Sequence, residues 1–247
     1  MLDDSWDQVA TDLLDVYPTD RRLVLKESHR RITHVAHGWF MRIRGSCLAV
    51  FLLRDSGLAA EAWPMRRAAL EHVLALQWLA EQGDDARDVV VRTHGESSRK
   101  RQEAAAKAGW LSAGWPVWSE VRADAEAAVG NASESHMLAN VRERCRRYGL
   151  PGDYAAWLIE TNNSHPGWET ASPYVQPDPL VLKSEALWDG SLNDAEFCAR
   201  RMYRALSSLS AMMQSGPWDA RMPQIEARMR ALPVSDDDPD AGRIAAK

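Results

Sequence analysis

Apolar residues return every third or fourth position along most of the chain, and this helical period most constrains what it can fold into. The segment 63–78 shows it well. Trp63, Leu70, Leu74 and Trp78 fall within an arc of roughly 100°, the width of a stripe that packs on a core. Alternating runs of Val, Ile, Thr and Tyr between tight turns, the mark of strands, are nearly absent. The expectation is an all-α, single-domain helical bundle of about seven to nine helices.

The period predicts helices over about 3–16, from a cap at Thr19 or Asp20 to Arg54, then over 58–82, 84–108, 118–129, 133–148, 154–161, 193–214 and 218–232. Pro18, Gly57, Gly83 and the run Gly149-Leu-Pro-Gly152 read as breaks, and Gly38 and Gly45 as bends within the second helix. Residues 166–182 hold four prolines and little periodicity, which predicts an ordered irregular loop. A helical domain over 1–232 and a disordered acidic tail over 233–247 complete the expected organisation.

Composition excludes several classes. The chain has 247 residues, 45% hydrophobic and 26% charged, ordinary for a soluble globular protein. No apolar run reaches the length of a transmembrane helix, and the acidic N-terminus lacks the basic start of a signal peptide, so no membrane partner is expected. Cys47, Cys145 and Cys198 are scattered, without zinc spacing, and read as reduced thiols of a cytoplasmic protein. The net charge of -5 argues against a general nucleic-acid binder. Phosphate-binding glycine loops and a Gly-x-Ser-x-Gly elbow are missing, and no cofactor is expected.

Two features stand out as chemistry. Arg67 and Glu71 sit one turn apart on the same arc as the apolar stripe, so the two side chains meet on a face that otherwise packs inward. Charges on such a face must be paired and hydrogen-bonded, either as a structural ion pair or as a polar site. The second is Asn162-Asn-Ser-His-Pro-Gly167, where Pro166 forces His165 into an extended conformation and holds it in a defined place. The bland reading is that Asn163, Ser164 and His165 only satisfy a helix end and a loop. Weaker signals are Arg67-x4-His72, Arg31-x5-His37 and Arg30-x6-His37, which match the Arg–His spacing of helical nucleases of the HEPN type. In an unbroken helix Arg67 and His72 point about 140° apart, which weakens that spacing. Glu27, His29, His34 and His37 hint at a metal, but Arg30 and Arg31 beside them repel a cation, and no metal is expected. Arg142, Arg144, Arg146 and Arg147 read as solvated, and Arg200, Arg201 and Arg204 as a small patch.

An Arg-x3-Glu helix ending in an aromatic, followed by a Tyr-led helix ending in Ser-His-Pro, resembles a large uncharacterised bacterial family of all-helical proteins, classed as a domain of unknown function. The matching residues are Arg67, Glu71 and Trp78, then Tyr154, Ser164, His165 and Pro166, and the likeness spans roughly 20–215. The resemblance implies that the two segments converge in space. The leading expectation is a ligand-binding or hydrolytic protein: Arg67 holds a small anionic ligand, Glu71 orients Arg67 or acts as base, His165 carries the proton, and Tyr154, Asn162, Asn163 and Ser164 contact the ligand. Its rivals are a HEPN-like RNA-cleaving or defence-type protein and a non-catalytic structural or interaction domain. A homodimer is left open.

Overall fold

The computed structural model describes residues 5–17, 24–110, 132–177, 179–186 and 194–233. The expected helix over 118–129, the break at Pro18, the caps at Thr19 and Asp20, and the acidic tail beyond 233 lie outside the described residues. Among those described, nine helices have seven residues or more: α1 Trp6–Asp15, α2 Thr33–Asp55, α3 Trp63–Gln82, α4 Ala86–Lys107, α5 Ala132–Ala139, α6 Val141–Arg147, α7 Pro151–Ser164, α8 Asp194–Met212 and α9 Met222–Ala231. The fold is all-α, as the period predicts.

Most boundaries follow local chemistry. The Ser5 hydroxyl accepts from the Gln8 amide and opens α1. Pro64 occupies the first turn of α3, where its missing N–H costs nothing. Gly83 ends α3 at φ +60°, and a Cβ there would meet the Ser28 carbonyl oxygen at 2.6 Å.

Several boundaries differ from expectation, among them the start of α3, at Trp63 and not 58, and of α9, at Met222 and not 218. α2 begins at Thr33, not near residue 20, and it runs unbroken through Gly38 and Gly45, around which no atom crowds a Cβ position. Asp84 does not start α4; its carboxylate accepts from the amides of Arg31 (2.7 Å) and Ile32 (3.3 Å) at the entry to α2. Asn140 caps α6 through the Glu143 amide and so divides the single helix expected over 133–148. α7 starts three residues early, at Pro151, and continues to Ser164. Residues 166–182 hold a helical turn, Trp168–Ala171, and an antiparallel hairpin of β1 Val175–Pro177 and β2 Leu180–Leu182.

α3 lies at the centre, packed on α2, α7 and α8, and α1 covers the other side of α8. The main core joins Val9 and Leu13 of α1, Phe40 and Ile43 of α2, Val73 and Trp78 of α3, and Met202 and Leu206 of α8. A smaller cluster joins Leu70 and Leu74 of α3 to Val141 and Cys145 of α6, with Tyr154, Ala156 and Trp157 of α7 packed against it.

The charge at the centre belongs to a different residue from the one helical phase selects. Arg66, not Arg67, is 0% exposed. Its Nε lies 3.1 Å from Oε1 and 3.3 Å from Oε2 of Glu160 on α7, and its Nη1 binds Asp194 at the start of α8. Its guanidinium also stacks 4.0 Å from the Trp63 ring. One side chain thus ties three helices. Arg66→Ala leaves Glu160 and Asp194 buried without their cation and is expected to cost about 3–5 kcal/mol in urea unfolding. A loss near that of a surface arginine contradicts the assignment.

Candidate functional site

α7 docks with its charges inward. Its buried residues are Gly152, Asp153 and Glu160, whereas Leu158 and Ile159 are exposed. Asp153, 0% exposed, pairs with Arg201 at 2.7 Å and with Arg204, both on α8. Glu160 takes Arg66 seven residues further on, which is two turns along the same face. Arg200, Arg201 and Arg204 are therefore not a surface patch: Arg200 and Arg201 are buried, and Arg200 pairs with Glu196 at 2.7 Å.

Burial outweighs Arg66 at Glu160 and pushes its carboxyl up to about 7. Burial likewise raises the Asp194 carboxyl. A charged helix face buried this way needs both of its clamps, and Trp157, four residues after Asp153 and three before Glu160, shares that face toward α3.

On that side α7 carries Trp157 and leads to His165. Arg67 Nε donates to Glu71 Oε1 at 2.9 Å, and the Trp157 indole N–H donates to the same oxygen at 2.8 Å. Arg67 Nη1 lies 2.9 Å from His165 Nε2. The Arg67 guanidinium also sits 5.7 Å from the Trp157 ring centre. Arg67 and Glu71 are 27% and 33% exposed, so they occupy the rim of the α3–α7 contact, not its core. An arginine has only donors, so His165 accepts through Nε2 and carries its proton on Nδ1, on an exposed ring. Pro166 keeps the His165 backbone extended at φ -118°, ψ 150°.

The remaining expected residues divide. Tyr154 stacks on Trp157 with ring centres 6.0 Å apart, and Arg142 lies 6.0 Å from the Tyr154 ring, so Tyr154 backs Trp157 without touching Arg67, Glu71 or His165. Asn163 and Ser164 bond back to the Ile159 and Glu160 carbonyls of their own helix, and Asn162 is exposed. None of the three is bonded to Arg67, Glu71 or His165. Trp157 and the buried Arg66, Asp153 and Glu160 escaped the sequence reading. Trp157 falls three residues after Tyr154, a helical neighbour that could have been noticed. Acids facing inward at 153 and 160 show no apolar pattern by which to find them.

The alternative sites separate. His72 donates from Nδ1 to the Ala68 carbonyl of its own helix at 2.7 Å, and burial lowers its pKa. It does not join Arg67. His37 instead meets the Tyr17 hydroxyl at 2.8 Å, and His29 meets the Ala80 carbonyl at 3.0 Å. Among the described residues no group of three or more His, Cys, Asp and Glu is placed to hold a metal ion, and no helix is long and apolar enough to cross a membrane. Arg144 is buried, not solvated, and caps the carbonyls of Met137 and Leu138. An open depression is lined by Glu134, His136, Met137, Glu143, Arg146 and Arg147, none of which belongs to the Arg67 cluster.

Residues 33–179 match DUF5677, a family of unknown function. That stretch contains α2 to α7 and every residue of the Arg67 cluster. No curated protein and no solved structure matches the chain.

The raised Glu160 carboxyl fixes the sign of a pH effect. Its folded-state pKa lies above the ordinary value, so the stability it contributes is present at low pH and is lost as pH rises through about 7. Urea unfolding is expected to show Glu160→Gln gaining on the wild type between pH 5 and pH 8, on the order of 3 kcal/mol. Parallel pH curves for the two proteins contradict this.

Proposed function

The chain belongs to the family of unknown function DUF5677, and we propose that it is a helical ligand-binding or hydrolytic protein whose site is Arg67, Glu71 and His165. The carrying observation is the bond from Arg67 to His165, which joins two segments 98 residues apart at an accessible rim. A structural ion pair requires only Arg67 and Glu71. The added histidine and the Trp157 indole fix the guanidinium on three sides. Preorganised donors of this kind bind an oxyanion without first being reordered.

The roles follow from which atoms are occupied. Glu71 orients Arg67 through Nε, and Trp157 orients Glu71. Arg67 Nη2 and the His165 Nδ1–H remain to hold a small anionic ligand. His165 is the proton carrier of the hydrolytic version, with its solvent-facing nitrogen as the exchange point. All three cysteines are free and buried, which supports a reducing, cytoplasmic setting.

Thermal unfolding of the full chain against small carboxylates, phosphate esters and amino acids tests this reading. At a ligand concentration of 100 Kd the wild type is expected to gain about 2.7 kcal/mol. Arg67→Ala and His165→Ala are expected to remain folded and to lose that gain. If no compound stabilises the wild type, and Arg67→Ala alone unfolds the protein, the cluster is structural.

A further inference from the structure

We infer that the ligand held by Arg67, Glu71 and His165 carries a nitrogen donor on the atom next to its oxyanion, as an amino acid or the carboxy-terminal residue of a peptide does. This rests on the site proposed above and narrows what that site accepts.

Charge gives the first reason. The Arg67 guanidinium is already paired with Glu71 at 2.9 Å, and His165 is neutral as an acceptor. The charges of Arg67 and Glu71 thus cancel each other, with the buried Arg144 guanidinium acting on Glu71 from behind. A plain anion placed against Arg67 gains from the guanidinium and loses against the neighbouring carboxylate at a similar distance. A ligand with a donor or a positive charge beside its oxyanion gains from both groups, and Glu71 then acts as a selectivity element against simple anions.

Unused hydrogen-bonding positions give the second. Arg67 Nε and the Trp157 indole both donate to Oε1 of Glu71. Oε2 has no hydrogen-bond partner among the described residues, although the side chain is 33% exposed. A carboxylate oxygen in that position accepts a donor from outside.

Guanidinium geometry supplies the third. Glu71 takes Nε and His165 takes Nη1. Nη2 lies on the planar fork between those two positions, sharing one edge with Nε and the other with Nη1. An oxyanion on Nη2 is thus flanked by the His165 side and the Glu71 side. A nitrogen on the α-carbon, two bonds from the carboxylate carbon, then faces the Glu71 carboxylate. Bare phosphate offers no such nitrogen, and acetate offers none either.

The test uses the indole N–H resonance of Trp157, which bonds directly to Glu71, in nitrogen-15 spectra of the full chain, assigned with Trp157→Phe. Glycine, N-acetylglycine and acetate are titrated separately. Glycine or N-acetylglycine is expected to move the resonance saturably, with acetate about tenfold weaker, the loss of one charge-assisted hydrogen bond. Tighter binding of glycine identifies a free amino acid, and tighter binding of N-acetylglycine a peptide carboxy-terminus. In Glu71→Gln the preference is expected to vanish as acetate gains and the nitrogen-bearing probes lose. Acetate binding as tightly as the other two to the wild type overturns the inference and leaves the anion site standing. That comparison needs no variant to fold. A resonance unmoved by all three probes overturns the inference; the site reading itself falls only if the wider screen of oxyanions also fails.

Discussion

Everything around the candidate site depends on Arg66. It is wholly buried, yet it binds Glu160 of α7 and Asp194 of α8 from its place on α3. Each ion would be costly alone in the interior, so the three helices are held in the one arrangement that keeps the charges together. A buried ionic junction of this kind adds little net stability compared with apolar packing. It gains direction instead, because a guanidinium accepts partners only along its planar fork. The second junction, Asp153 with Arg201 and Arg204, repeats the device near the other end of α7.

The polarity of α7 follows from these clamps. With acids buried and Leu158 and Ile159 exposed, α7 reverses the usual amphipathic order. Two ionic clamps spaced two turns apart fix its rotation, and that rotation presents Trp157 to Glu71 and sends His165 back over Arg67. The site at the rim is thus a consequence of charges placed in the interior.

The legible part of this protein is the part written in periodicity. The inward residues of α1, the glycine stop of α3 at Gly83 and the span of α8 all follow from local patterns of apolar and breaking residues. The meeting of Arg67, Glu71 and His165 was expected from a resemblance and from the constraint at Pro166. It was not visible in any spacing, since the segments are 98 residues apart. Arg66 lies off the apolar stripe, where an arginine beside Arg67 reads as a solvated neighbour. Its burial needs two acids from distant helices, and no local rule supplies them. Asp84 is hidden for the same reason: beside its own helix it reads like Asp85 as a capping residue, and the amides it satisfies, at Arg31 and Ile32, are brought to it only by packing.

The chain alone therefore determined the helical class, most helix spans and the pairing of Arg67 with Glu71, because each depends on neighbours within one or two turns. The tertiary structure decided which arginine is buried, which face of α7 turns inward, and which histidine meets Arg67. Those outcomes depend on compensating charge across helices, and the cost of an unpaired buried ion selects among arrangements that local sequence leaves equal.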